Sequence, residues 1–89
     1  MSLGNRHRKT LEGIFENLVR SNISWRDIEA MLVALGAEVS EGQGSRVRIV
    51  LGGVRALFHR PHPQKETEKG AVMSMRRFLT EAGVRNNEI

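Results

Sequence analysis

Apolar residues recur along this chain with two periods, and the change from one to the other divides it. From Thr10, Leu11, Ile14, Phe15, Leu18 and Val19 fall at i, i+3, i+4, i+7 and i+8. That spacing predicts an amphipathic helix over 10–20, weakened a little by Gly13 and stopped by Ser21 and Asn22. Ser24 then suits an N-cap, with Asp27 at N3 and an Ile23–Ile28 hydrophobic staple around it. The stripe of this second helix is Ile28, Met31, Leu32 and Leu35, and Gly36 is the expected left-handed residue beyond its end. Trp25, in its first turn, is expected to pack rather than to hold a ligand.

After Gly36 the period becomes two. A short strand is expected over 37–41, a turn over 42–45, and two longer strands over Arg46–Leu51 and Val54–His59. Gly52 and Gly53 join these as a two-residue hairpin loop of type I′ or II′. Pro61 and Pro63 end the third strand. A charged stretch over 64–69 leads to a last helix over 70–82, with Val72, Met75, Leu79 and Ala82 on one face, Phe78 beside them and Gly83 closing it. Met31, Met73 and Met75 are expected in the core. Helix, helix, three antiparallel strands, helix is an α+β order, with helices on one face of a sheet.

The hairpin fixes which side chains share a face. With Gly52-Gly53 as the turn, Leu51 opposes Val54, Ile49 opposes Ala56 and Val47 opposes Phe58, so one face is entirely apolar. The other face sets Arg46 against His59, Arg48 against Leu57 and Val50 against Arg55. A slip of one residue would bury arginines, so the register is well determined.

Composition sharpens this picture. The 89 residues suit one domain, expected over 10–84 between a basic arm at 1–9 and a tail at 85–89. There is no cysteine, so disulfides and thiolate metal sites are excluded. No apolar run is long enough to span a membrane and no signal peptide is visible, so the expected location is the cytoplasm. The formal net charge is +4 and the isoelectric point is about 10.7. Eleven of the 14 cations are arginine, which grips phosphate in a fork and stacks on bases. Nucleic acid is therefore an expected partner.

The open sheet face carries the candidate chemistry. His59 stands opposite Arg46, with Cβ atoms expected about 4.5–5.5 Å apart. An imidazole beside phosphate-binding arginines can take the 2′-hydroxyl proton of RNA while the arginines balance charge growing on phosphorus. His62, three residues on, can reach the same region and supply a second proton-transfer group. Arg46, Arg48, Arg55, Arg60 and Lys65 are the candidate RNA contacts. The same face reads equally as a solvated surface whose charges prevent aggregation. His59 and His62 also have H-x-x-H spacing, but zinc would need a third ligand from Glu66 or Glu68, so neither metal nor cofactor is expected.

From Trp25 to Val84 the sequence resembles the HicA toxin family, small ribonucleases of bacterial toxin–antitoxin pairs. The resemblance lies in Ala34-Leu35-Gly36-Ala37 at the end of a helix, then Gly44-Ser45 before two strands. It continues through Pro61-His62, Lys65-Glu66 and Gly70 to a last helix ending Phe78-Leu79-Thr80-Glu81-Ala82-Gly83. It implies a fold like the double-stranded-RNA-binding domain, with a three-stranded antiparallel sheet packed on helices. It also implies metal-independent cleavage of messenger RNA and a HicB-like antitoxin covering the active face. The first helix looks like an addition to this pattern. One position departs from it: the family's catalytic histidine follows the Gly-Ser pair, where this chain has Arg46. Arginine binds phosphate but cannot accept a proton near neutral pH. Either His59 takes the role, or the protein binds RNA without cutting it. A protein-interaction domain using Val50 and Leu57 on the open face is a further alternative.

Overall fold

Two helices, a β-meander and a third helix follow one another in the computed structural model, which describes residues 3–19, 22–61 and 66–84. They are α1 (Asn5–Ile14), α2 (Trp25–Ala34), β1 (Glu38–Glu41), β2 (Arg46–Leu51), β3 (Val54–His59) and α3 (Lys69–Glu81). The sheet is antiparallel throughout, in the order β1-β2-β3. This is the α+β order that the two hydrophobic periods predict.

The helices cover the apolar sheet face. Val47, Ile49, Leu51 and Phe58 meet Ile28, Met31 and Leu32 of α2 and Val72, Met75, Phe78 and Leu79 of α3 in one buried cluster. Three aromatic rings run through it. Phe58 lies 5.9 Å from Trp25 in a tilted contact and 6.1 Å from Phe78 edge to face. Such contacts add to the area the rings bury and orient the sheet on the helices.

Both C-terminal stops are as expected. After α2, Gly36 takes φ 93°, its N–H bonds Val33 O, and the Ala37 N–H bonds Leu32 O at 2.9 Å. That pair of bonds is a Schellman motif. It occupies Ala37, which is why β1 begins at Glu38 rather than at the expected residue 37. After α3, Gly83 and Val84 repeat the arrangement on Thr80 O and Leu79 O. The α2 N-cap differs in detail. Ser24 has the extended cap backbone but makes no side-chain capping bond, and Asp27 accepts a hydrogen bond from Arg6 at 3.0 Å.

The first helix departs most from the sequence expectation. It spans Asn5–Ile14, not 10–20, so Arg6, Arg8 and Lys9 are helical and Leu18 is 87% exposed. The core-facing positions are Leu3, Thr10, Leu11 and Ile14. Thr10 turns its hydroxyl back onto the Arg6 carbonyl at 3.2 Å, which lets a polar residue sit buried. The stop comes from α3. Arg76 Nε–H donates to Ile14 O at 2.7 Å, and its Nη2–H donates to Glu16 O. The last carbonyls of a helix lack partners within it, and a cation also suits that end of the dipole. Met73 is the other correction: it is exposed, while Met31 and Met75 are fully buried.

Candidate nucleic-acid interface

The interface is built on the β2–β3 hairpin, whose turn sets the register. Gly52 and Gly53 have φ 57° and 80°, both in the left-handed region that a type I′ turn demands at its two central residues. A Cβ on Gly52 would lie 2.8 Å from the Ala82 carbonyl oxygen. Only glycine therefore lets the turn lie against the end of α3. The resulting pairs are Arg46 with His59, Val47 with Phe58, Arg48 with Leu57, Ile49 with Ala56, Val50 with Arg55 and Leu51 with Val54.

These pairs separate the faces as the alternation predicts. Val47, Ile49, Leu51 and Phe58 are buried, whereas Arg46, Arg48, Arg55 and His59 are exposed on the opposite side. Leu57 sits among them, 52% exposed, and Val50 is half-buried. β1 extends this face with Ser40 beside Arg48 and Glu38 beside Val50. Among the described residues, no ion pair or hydrogen bond engages the side chains of Arg46, Arg48, Arg55 or His59. Four groups able to hold or shuttle charge thus stand together, free for a ligand.

Arg60 is placed elsewhere. It shares its parity in the strand with Phe58, so its side chain lies on the helix side of the sheet. Its Nε–H and Nη2–H donate to Glu29 Oε1 of α2 at 3.1 and 2.9 Å, and its Nη1–H donates to Glu41 Oε1 of β1 at 2.7 Å. The hydrogen bond to Glu29, then that to Glu41, raises the Arg60 pKa above the ordinary arginine value. Arg60 is a clamp between the end of β3, α2 and β1, separate from the open face. The expected contributions of His62 and Lys65 lie outside the described residues. Among the described residues, no group of three His, Asp or Glu side chains is arranged to hold a metal ion.

A second feature adjoins this face. Between the outer edge of β3 and α3 runs an open groove of about 690 Å³, lined by Arg55, His59, Ala71, Ser74, Arg77 and Glu81 among others. Arg77 is not among the sequence candidates, which all lie on the two long strands and the segment after them. The helical period carried the signal: Ser74, Arg77 and Glu81 form the next stripe round from Met75 and Phe78.

A small α+β domain with a one-sided Arg/His sheet face is the class that fold and site define. The family model described as "HicA toxin of bacterial toxin-antitoxin" matches residues 25–84, from the first residue of α2 to just past α3. The chain belongs to the HicA toxin family, the toxin side of toxin–antitoxin pairs. No curated protein and no solved structure matches it. The matched span begins after α1, in keeping with α1 as an addition to the family pattern. No helix among the described residues is long and apolar enough to cross a membrane.

Proposed function

We propose that this toxin is a metal-independent ribonuclease acting on messenger RNA in the cytoplasm through the open face of its sheet. One observation carries the reading. In a member of a toxin family, Arg46 and His59 stand directly opposite each other, exposed and unengaged, with Arg48 and Arg55 on the same face. In this reading Arg46, Arg48 and Arg55 hold the RNA backbone, and His59 is the proton acceptor that Arg46 cannot be.

The chemistry balances without a further reactant. His59 takes the 2′-hydroxyl proton, and the 2′-oxygen bonds to the adjacent phosphorus. The bond from phosphorus to the 5′-oxygen breaks, leaving a 2′,3′-cyclic phosphate and a 5′-hydroxyl. The departing oxygen takes its proton from His62 or from water. The arginines balance the extra negative charge on phosphorus as it peaks. A HicB-like antitoxin is the partner that neutralises the toxin, by covering this face.

The test is purified protein with RNA in EDTA, across about pH 5 to 8, the range in which histidine titrates. Cleavage is expected in the wild type, with a loss of about 10²–10⁴-fold in His59→Ala, the usual contribution of a general base. An unchanged rate in that variant removes His59 from the mechanism. Arg46 itself favours a second reading, since it stands where the family keeps its histidine: a module that binds RNA without cutting it. That reading expects salt-dependent RNA binding and no products at any pH. Val50 and Leu57 on the face favour use by a protein alone, which fails if the isolated chain binds RNA as tightly as it binds its partner.

A further inference from the structure

β3 is the last strand of the sheet, and its outer edge has no neighbouring strand among the described residues. One bond past the hairpin reveals which groups that edge presents. The Arg60 N–H donates to the Ser45 carbonyl at 2.9 Å, continuing the ladder. Bonded positions alternate along an antiparallel pair, so Val54, Ala56 and Phe58 direct their backbone groups to β2. Arg55, Leu57 and His59 therefore direct N–H and C=O groups outward. Such an edge templates another strand unless something blunts it, and this one is continuous, with no proline from 54 to 59. The open groove alongside leaves it unobstructed by α3.

We infer that the β3 edge docks one extended segment of a protein partner, which adds as a fourth strand and carries acidic side chains opposite Arg55 and His59. The occupant follows from the register. Alternate side chains of an added strand fall beside Arg55, Leu57 and His59 on the open face. Carboxylates complement the first and third positions, and an apolar residue complements the half-exposed Leu57. The two intervening side chains face the wall of the groove formed by Ala56, Phe58, Ala71 and Ser74, which suits small aliphatic residues, while Glu68, Arg77 and Glu81 also line it. The matching segment thus reads acidic, apolar, apolar, apolar, acidic. A second copy of this chain is a poorer occupant. Antiparallel pairing of two β3 edges about Leu57 sets each Arg55 against the other's His59, with no carboxylate on either strand, and each chain carries a net +4. The inference rests on there being a protein partner and not on RNA cleavage.

The probe is the capped peptide Ser-Glu-Val-Val-Val-Glu-Ser, compared with its lysine counterpart Ser-Lys-Val-Val-Val-Lys-Ser. Backbone amide exchange of the full chain is followed residue by residue by NMR. The glutamate peptide at millimolar concentration is expected to slow exchange at Arg55, Leu57 and His59 by at least about tenfold, and the lysine peptide to change nothing. Leu57→Pro removes an outward N–H without touching a bond to β2, and is expected to abolish binding while Leu57→Val retains it. If Leu57→Pro does not fold, the wild-type exchange pattern decides alone. No protection at the three amides, or equal effects of the two peptides, overturns the inference. RNA does not enter this experiment, so its failure leaves the ribonuclease reading standing.

Discussion

Alanine at Gly52 and at Gly53 should have unequal effects, although the two glycines are neighbours in one turn with similar backbone angles. A non-glycine residue in the left-handed region costs roughly 1–2 kcal/mol. Restricting the unfolded chain returns about 0.4–1 kcal/mol of that. Gly53 has φ 80° and open space where a Cβ would go. Gly53→Ala should therefore cost about 0.5–1.5 kcal/mol. Gly52 has φ 57°, and its Cβ would sit 2.8 Å from the Ala82 carbonyl oxygen, against backbone that has no rotamer to escape into. Pushing the turn off α3 adds about 1–3 kcal/mol, the usual range for overpacking, for a total of about 2–4 kcal/mol. In a chain of this size each kcal/mol lowers Tm by about 4–8 °C. Thermal and urea unfolding followed by far-ultraviolet circular dichroism would then show Tm falling by about 10–25 °C for Gly52→Ala and by about 3–10 °C for Gly53→Ala. Equal losses, within about 0.5 kcal/mol, would refute the contact between the turn and α3 as the reason for glycine at 52.

Four other outcomes follow from the same contacts. Arg46→Ala and Arg48→Ala should each lower the salt dependence of RNA binding by about 0.7 in log–log slope, one phosphate contact apiece; a slope unchanged in both variants removes the open face as the RNA surface. Arg60→Ala should leave that slope intact and cost about 1 kcal/mol of stability, since its ion pairs are partly exposed. Because the Arg60 pKa is raised, titration of Arg60 removes its contribution as pH rises through the arginine range, so urea midpoints should show no loss from this titration near neutral pH. Arg76→Met should cost about 2 kcal/mol through the two hydrogen bonds it gives the end of α1, and should speed amide exchange first in α1; exchange unaltered there contradicts the cap. Phe58→Ala should cost about 3–5 kcal/mol by opening the aromatic stack, measurable as a lower urea midpoint.

The hairpin was legible because its information is local. Two glycines fix the turn, the alternation fixes the face, and burial of arginine excludes the slipped register. The helix ends at Gly36 and Gly83 were legible for the same reason, as single residues with φ above zero. The first helix was not, because one of its determinants is distant and another is polar by type. Arg76 lies about sixty residues beyond the carbonyls to which it donates. Thr10, polar by type, occupies a core position, so the apolar pattern pointed further along the chain, to the exposed Leu18. Arg60 shows a different gap. Strand parity alone sets it on the side of Phe58, away from Arg46 and His59, and that signal was present in the sequence. Its partners, Glu29 and Glu41, become visible only when α2 and β1 are placed beside the end of β3. Arg46 opposite His59 was fully legible, since it needs only the turn.

Trp25 gives the molecule a built-in optical signal. It is the only tryptophan in the chain, there is no tyrosine, and the residue is 5% exposed with an indole N–H that has no hydrogen-bond partner. Intrinsic fluorescence therefore reports on a single place, the contact with Phe58 beneath β3. Emission should be blue-shifted in the folded protein and move to the red when sheet and helices part. A ligand on the open face touches the other side of the same strand, so it can bind without bringing water to the indole. The spectrum thus separates occupation of the basic face from loss of the fold in one cuvette.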